Sequence, residues 1–324
     1  NNMSKFAILS IVGVMALSLF LASSPSTDVL VESQFHAFVG QFGVNYASVE
    51  EQEFRFNVFK KNMEKIPQLE KENPHATFGI TQFSDRTEEE FVSTLNEFSE
   101  ENGYGDYSEK YTQTSDKVTE SVDLRNHFKE IQDQGGCGSC WAFAATATFE
   151  AYKNINGETV PKLSEQELTD CVKTCSGCGG GLANLAYDWL VSNSFCTEAS
   201  YKYEQRQSSC KSSSCEAVST DSGSGLITVG EPGILHRLQN VGPISISIDA
   251  SNWNSYTGGV LSTCGTSTNH AVVVTAFAPK TADLPAHWII RNSWGPGYGH
   301  EGHIYLIHGE NICNIEKRPS YPLF

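Results

Sequence analysis

All ten cysteines of this 324-residue chain lie between Cys137 and Cys313. That one-sided placement constrains the fold more than any other feature. Ten cysteines are many for a cytosolic protein and ordinary for an exported one, where cross-links are chemically permitted. The region after Cys137 can therefore be stapled, whereas the region before it must hold together by packing alone. The two stretches read as separate units, in line with a prior of about 150 residues per domain.

The N-terminus supports export. Met3 and Lys5 precede an apolar run from Phe6 to Leu21, followed by Ala22, Ser23 and Ser24. This pattern predicts a secretory signal peptide over residues 3–24. The run is short for a membrane span, which needs about 20 residues, so the mature protein is expected to leave the membrane. The pathway expected is secretory, ending in a lysosome- or vacuole-like compartment or outside the cell. A net charge of −16 repels phosphate backbones and argues against a nucleic-acid partner. With 18 Phe, 12 Tyr and 5 Trp the chain is too aromatic for intrinsic disorder.

Residues 25–119 are rich in Glu, Lys and Phe. Phe35, Phe38 and Phe42 fall at helical spacing, as do Phe56, Phe59, Met63 and Ile66, which predicts two amphipathic helices. Glu51, Arg55, Phe59, Asn62 and Ile66 share one face of the second. Glu51 and Arg55 are spaced for an ion pair, and Pro67 should end or kink the helix. Thr77–Phe83 reads as extended, Thr87 as a cap for a helix from Glu88, and residues 100–119 as an exposed linker open to proteolysis.

The chemistry concentrates at Gln134-Gly-Gly-Cys137-Gly-Ser-Cys140-Trp141. Glycines lead into an Ala-rich helix, and Cys140 stands where it starts. A thiol at a helix N-terminus feels the positive end of the dipole, which lowers its pKa and favours the reactive thiolate. Such a nucleophile needs a histidine, and that histidine needs an orienting group. Of nine histidines, His36, His75, His127, His236, His287, His300, His303 and His308 have no special setting. His270 opens the buried-looking strand His270-Ala-Val-Val-Val. Asn292 follows Trp288-Ile-Ile and precedes Ser293-Trp294-Gly295, and its amide could fix an imidazole tautomer. Two other readings exist. Cys137/Cys140 and Cys175/Cys178 have the spacing of zinc or redox pairs, but neither use explains Gln134, His270 or Asn292. A non-catalytic binding relative would usually lack the nucleophile or the histidine, and this chain keeps both.

Residues 134–143 and 269–299 resemble the papain-like cysteine peptidases of the cathepsin L type. The stripe from Glu51 to Ile66 and the stretch Gly79-Ile-Thr-Gln-Phe-Ser-Asp85 resemble the two propeptide motifs of that family, with Glu70 and Thr81 replacing usual asparagines. Leu163-Ser-Glu-Gln-Glu-Leu168 and Gly177-Cys-Gly-Gly180 resemble two further family stretches. The resemblance implies an α+β, papain-like two-lobed fold. A helical lobe begins near Cys140, a β-barrel-like lobe carries His270 and Asn292, and a helical propeptide precedes both. Residues 3–24 would be the signal, 25–119 the propeptide and 120–324 the peptidase domain.

It also implies roles. Cys140 would be the nucleophile, His270 the base and acid, and Asn292 its orienter. Gln134, with the Cys140 backbone N–H, would form the oxyanion hole. Trp294 would shield the histidine, with Gly180 nearby on the substrate-binding surface. The main selectivity pocket would be walled by Leu182, Ala183, Ser247 and Ala271. Its floor would be Arg318, which would favour acidic side chains unless it turns out to solvent. Family pairing joins Cys137 to Cys178, Cys171 to Cys210, and Cys264 to Cys313. Among Cys175, Cys196 and Cys215, one further pair and one free thiol completes the count. Neither metal nor organic cofactor is implied. The expected partners are protein or peptide substrates, the chain's own propeptide lying in reverse across the cleft, and cystatin-type inhibitors. Maturation is expected near residues 117–121, promoted by acid. Departures from the family pattern include Leu124, Asn269 and Tyr298.

Overall fold

The computed structural model describes residues 27–95, 109–218, 220 and 223–323. The expected signal peptide lies outside them. No helix among the described residues is long and apolar enough to cross a membrane.

The phenylalanine stripes form α1 (Thr27–Phe42) and α2 (Val49–Glu72). Phe35 and Phe38 bury against Phe59, with ring centroids 5.4 Å apart in each case. Ser48 caps α2 by accepting from the Glu51 N–H, and the Glu51 carboxylate returns to the Ala47 N–H at 2.7 Å. Glu51 is thus engaged in a cap. Contrary to the sequence expectation, Arg55 pairs with Glu90 at 2.6 Å and also donates to the Asp85 carbonyl. Nor does Pro67 end the helix, which continues to Glu72. Ile66 and Leu69 pack against the main core, and buried Asn73 closes the helix end with its own N–H on the Leu69 carbonyl. These contacts hold the last turn past the proline. Thr87 caps α3 (Glu88–Val92) in a full capping box with Glu90.

This region adds two strands, β1 (Ala76–Phe78) and β2 (Glu109–Tyr111). The second corrects the linker reading: Tyr111 is buried and donates to, or accepts from, His236 Nδ1 at 2.8 Å. Isolated tyrosines in a polar run, here Tyr104, Tyr107 and Tyr111, give no strand signal, and only the sheet edge that Tyr111 meets decides its state. Residues 96–108 of the expected linker lie outside the described residues.

Next come β3 (Val122–Asp123), α4 (Cys140–Ile155), α5 (Glu165–Cys171), α6 (Ala183–Leu190), β4 (Phe195–Cys196) and β5 (Ala217–Val218). The β-rich half follows with β6 (Ser224–Ile227), α7 (Gly230–Asn240), β7 (Ile244–Ile248) and β8 (Tyr256–Leu261). It ends with β9 (His270–Ala278), β10 (His287–Arg291), β11 (His303–Ile307) and β12 (Ser320–Pro322). The large sheet runs β1-β8-β11-β10-β9-β7-β12-β6-β2, with β3 on β9. Both strands of the first region therefore cap its edges. Central β9 serves two cores by simple alternation. Ala271 and Val273 face the helical half with Trp141, Phe149 and Leu185. Val272 and Val274 face the β half with Trp288, Ile290 and Leu306.

Replacing Phe59 by Ala removes the buried ring through which α2 meets both Phe35 and Phe38 of α1. It should destabilise this N-terminal unit by about 3–5 kcal/mol, lowering its urea midpoint in the full-length chain. A change under about 1 kcal/mol would place its anchor elsewhere.

Candidate active site

The turn before α4 explains the glycines. Cys137 is bonded to Cys178, and the Gly138 N–H donates to the Cys178 carbonyl at 3.0 Å. A Cβ at Gly138 would lie 2.5 Å from that oxygen and 2.9 Å from the Leu95 carbonyl oxygen, so only glycine fits. Trp141 then locks the first turn by donating to the Gly177 carbonyl at 3.1 Å. Cys140 is thereby presented as the first residue of α4.

β9 presents the other half. The Ala271 N–H donates to Cys140 Sγ at 3.3 Å, so His270, one residue earlier, is its neighbour. His270 Nε2 lies 2.8 Å from Asn292 Oδ1. That oxygen also accepts the Ser293 N–H, and as an acceptor it sets Nε2 as the protonated nitrogen. Nδ1 is left buried with no hydrogen-bond partner among the described residues. Trp294 stacks on the imidazole at 4.8 Å, and Trp253 meets it edge-on at 6.0 Å. Tyr298, a departure from the family pattern, buttresses both tryptophans, packing on Trp294 and donating to the Trp253 carbonyl.

Gln134 sits beside them, fully buried. Its backbone N–H donates to the Ser293 carbonyl, and its Oε1 accepts from Ser293 Oγ at 2.6 Å. Its Nε2 donates to the carbonyls of Cys137 at 3.1 Å and Thr94 at 3.4 Å. Thr94 belongs to the N-terminal unit, so that unit places a carbonyl oxygen on this amide. The same unit covers Trp294. Phe83 and Phe91 meet its ring at 5.0 and 5.6 Å, and Gln82 donates to its carbonyl at 2.8 Å. β1 adds to β8, and Asn73 Oδ1 accepts from the Ser262 and Thr263 N–H groups.

Burial at the site sets the charges. It pushes the Cys140 thiol up to about 12, with hydrogen bonds from the Ala271, Trp141 and Cys140 backbone N–H groups only partly opposing it. It pushes His270 down to about 4 despite Asn292. The lowered thiol pKa expected from the helix N-terminus is therefore not that of the covered form. Loss of water outweighs the dipole, and both groups are neutral.

The structure bonds Cys171 to Cys210, Cys264 to Cys313, and also Cys196 to Cys215, leaving Cys140 and Cys175 as thiols. With Cys137 and Cys178 bonded to each other, neither close cysteine pair is available as a zinc or redox motif. Leu182, Ala183 and Ala271 share one apolar cluster. Ser247 pairs with Ala271 across β7 and β9. Gly180 has φ of 110°, a conformation that glycine supplies. Arg318 is buried at 5 % exposure, which excludes the outward-turned side chain.

The Papain family cysteine protease model matches residues 118–323. The chain belongs to the papain family of cysteine proteases. The Cathepsin propeptide inhibitor domain model matches residues 35–91, so the protease is a cysteine endopeptidase made with its own inhibitory propeptide. It is 33% identical to Cysteine proteinase 2 of Leishmania pifanoi over 97% of this chain and 74% of that one. It is 32% identical to Cysteine proteinase 15A of Pisum sativum, over 89% and 85% of the two chains. Among solved structures, digestive procathepsin L 3 of Tenebrio molitor larval midgut has a TM-score of 0.79 at 29% identity, covering 91% of this chain and 99% of that one. A recombinant stem bromelain precursor has a TM-score of 0.81 at 28% identity, with the same coverage. The α+β papain-like fold is thereby established.

Sequence reasoning missed two supports of the site. Ser293 orients the Gln134 amide, and its place between Asn292 and Trp294 was the available signal. Tyr203 donates to the Gln134 carbonyl at 2.9 Å and hydrogen-bonds Ser139 Oγ at 2.6 Å; nothing local marks it. Ser293→Ala in the protease should lower turnover roughly five- to tenfold, the worth of one hydrogen bond, with little change in KM. An unchanged turnover would show that the amide is held without it.

Proposed function

We propose that Cys140 is the nucleophile of this protease, with His270 as base and acid, Asn292 as its orienter, and Gln134 with the Cys140 N–H as the oxyanion hole. One observation carries the reading: a helix-start thiol that accepts the backbone N–H of the residue after a histidine whose Nε2 is fixed by Asn292. Once the propeptide leaves and water returns, the thiol proton passes to His270. The thiolate attacks the peptide carbonyl carbon, and the oxyanion takes the place on Gln134 now held by the Thr94 carbonyl. His270 returns the proton to the leaving amine, giving an acyl-thioester on Cys140, which water hydrolyses with His270 as base. Trp294 and Gly180 would border the bound peptide. In acid with reductant and an epoxysuccinyl inhibitor, the full-length protein should shorten to a chain starting near residues 117–121 and carry one adduct, on Cys140. Shortening with the adduct on another residue, or no adduct, would reject the assignment.

The domain limits proposed are 3–24, 25–119 and 120–324, and the compartment a lysosome- or vacuole-like one or the extracellular space. Four disulfides suit that route. Cystatin-type inhibitors are proposed as partners of the uncovered cleft.

Acid should open the zymogen. Tyr46 donates to Asp85 at 2.9 Å, and the Arg55 guanidinium holds the Glu90 carboxyl below its ordinary value. A depressed carboxyl contributes stability above its ordinary pKa and loses it as pH falls through the folded-state value. Protonating Glu90 therefore loosens the joint between α2 and α3. Glu90→Gln should process faster at neutral pH, with a flatter pH dependence measured by gel. An unchanged profile would assign the pH response to another group.

Arg318 is proposed as the floor of the selectivity pocket, below Leu182, Ala183, Ser247 and Ala271. A positional substrate library should favour Asp or Glu at the second residue before the cleaved bond, and Arg318→Ala should abolish that preference. No gain for acidic residues in the native protease would remove Arg318 from the pocket.

A further inference from the structure

The fourth disulfide has a neighbour that the other three lack. Glu167 is fully buried on α5. Its Oε2 accepts the Cys196 N–H at 2.6 Å, and its Oε1 lies 2.9 Å from Cys196 Sγ. No other disulfide sulfur among the described residues has a carboxyl so close. A disulfide sulfur has no proton to give, so this contact suits a protonated carboxyl that points its O–H at the sulfur. Burial pushes Glu167 up to about 7, which supports that form. Cys196 is fully buried, whereas Cys215 is half-buried. Cys215 lines an open cleft of about 290 Å³ with Ser200, Lys202, Glu204, Lys211 and Ser214.

We propose that Cys196–Cys215 is a thiol–disulfide exchange site for a small anionic thiol, with Glu167 as the proton donor to the leaving sulfur. The incoming thiolate enters the cleft past Lys202 and Lys211 and attacks Cys215 Sγ. A new S–S bond forms between it and Cys215 while the Cys196–Cys215 bond breaks. The electron pair leaves on Cys196 Sγ, which takes the Glu167 proton. The products are a mixed disulfide on Cys215, a Cys196 thiol and a Glu167 carboxylate. Without a proton donor, a thiolate would be left in a buried site, which is costly and slows its departure. The loop closed by this bridge carries Tyr203, which supports Gln134 and Ser139. The exchange therefore sits on a segment that holds the active site.

The inference does not depend on the proposed catalytic roles; the test uses the full-length chain carrying Cys140→Ser, which removes one of the two free thiols that could compete in the exchange. It is incubated with glutathione, quenched in acid and mapped by mass spectrometry. Cys196–Cys215 should open before the other three bridges, with the glutathione on Cys215. An adduct on Cys196, or another bridge opening first, would overturn the proposal without any further variant. Adding Glu167→Gln should slow opening of this bridge about tenfold or more and leave the other three unchanged. That is less than the ~100-fold of a fully used proton donor, because the amide still offers an N–H. A merely structural Glu167 would give the opposite sign, since a loosened pocket exposes the bridge. An unchanged or faster rate would overturn the proposal.

Discussion

The hydrogen bond from the Ala271 N–H to the Cys140 sulfur joins the two halves of the molecule. One partner is the first residue of a helix and the other the second residue of a strand, and each element is buried along most of its length. Helix α4 is anchored through Trp141, the Cys137–Cys178 bridge and Gly138. Strand β9 is anchored on both faces, because alternate side chains enter the two cores. A shift of either element would separate thiol from imidazole. The site is therefore built on rigid supports, with little left to loops.

The propeptide uses the same supports. Its strand β1 extends one edge of the sheet, and its Phe83 and Phe91 become part of the β-lobe core. Just after the matched propeptide domain, the Thr94 carbonyl takes the Gln134 amide. The cover does more than obstruct. The site it lies over is buried, and burial disfavours both charged forms, raising the thiol and lowering the imidazole.

Much of this was legible in the sequence because it is local. The phenylalanine stripes, the Thr87 cap and the glycine turn before Cys140 need only neighbours in the chain. The features that were not legible depend on distant partners. Arg55 chooses Glu90 over Glu51 because α3 folds back across α2. Residues 109–111 become a strand because β6 offers an edge, and Pro67 stays helical because the core holds Ile66 and Leu69. The Cys196–Cys215 pair follows from the β4–β5 pairing, where Cys196 lies opposite Ala217. A thiol at an open helix start would feel the dipole, but Cys140 is fully buried in the apolar cluster that holds Trp141, Leu182 and Ala271, and that burial decides the charge.

The most direct test is the ionisation of Cys140 before and after propeptide removal. With Cys175 replaced by Ser, Cys140 is the lone thiol of the oxidised chain, and its thiolate absorbance can be followed against pH. The account predicts no thiolate through the neutral range in the zymogen and a thiolate persisting into acid once the propeptide has gone. The same titration in both forms, or a thiolate in the intact zymogen at neutral pH, would contradict it.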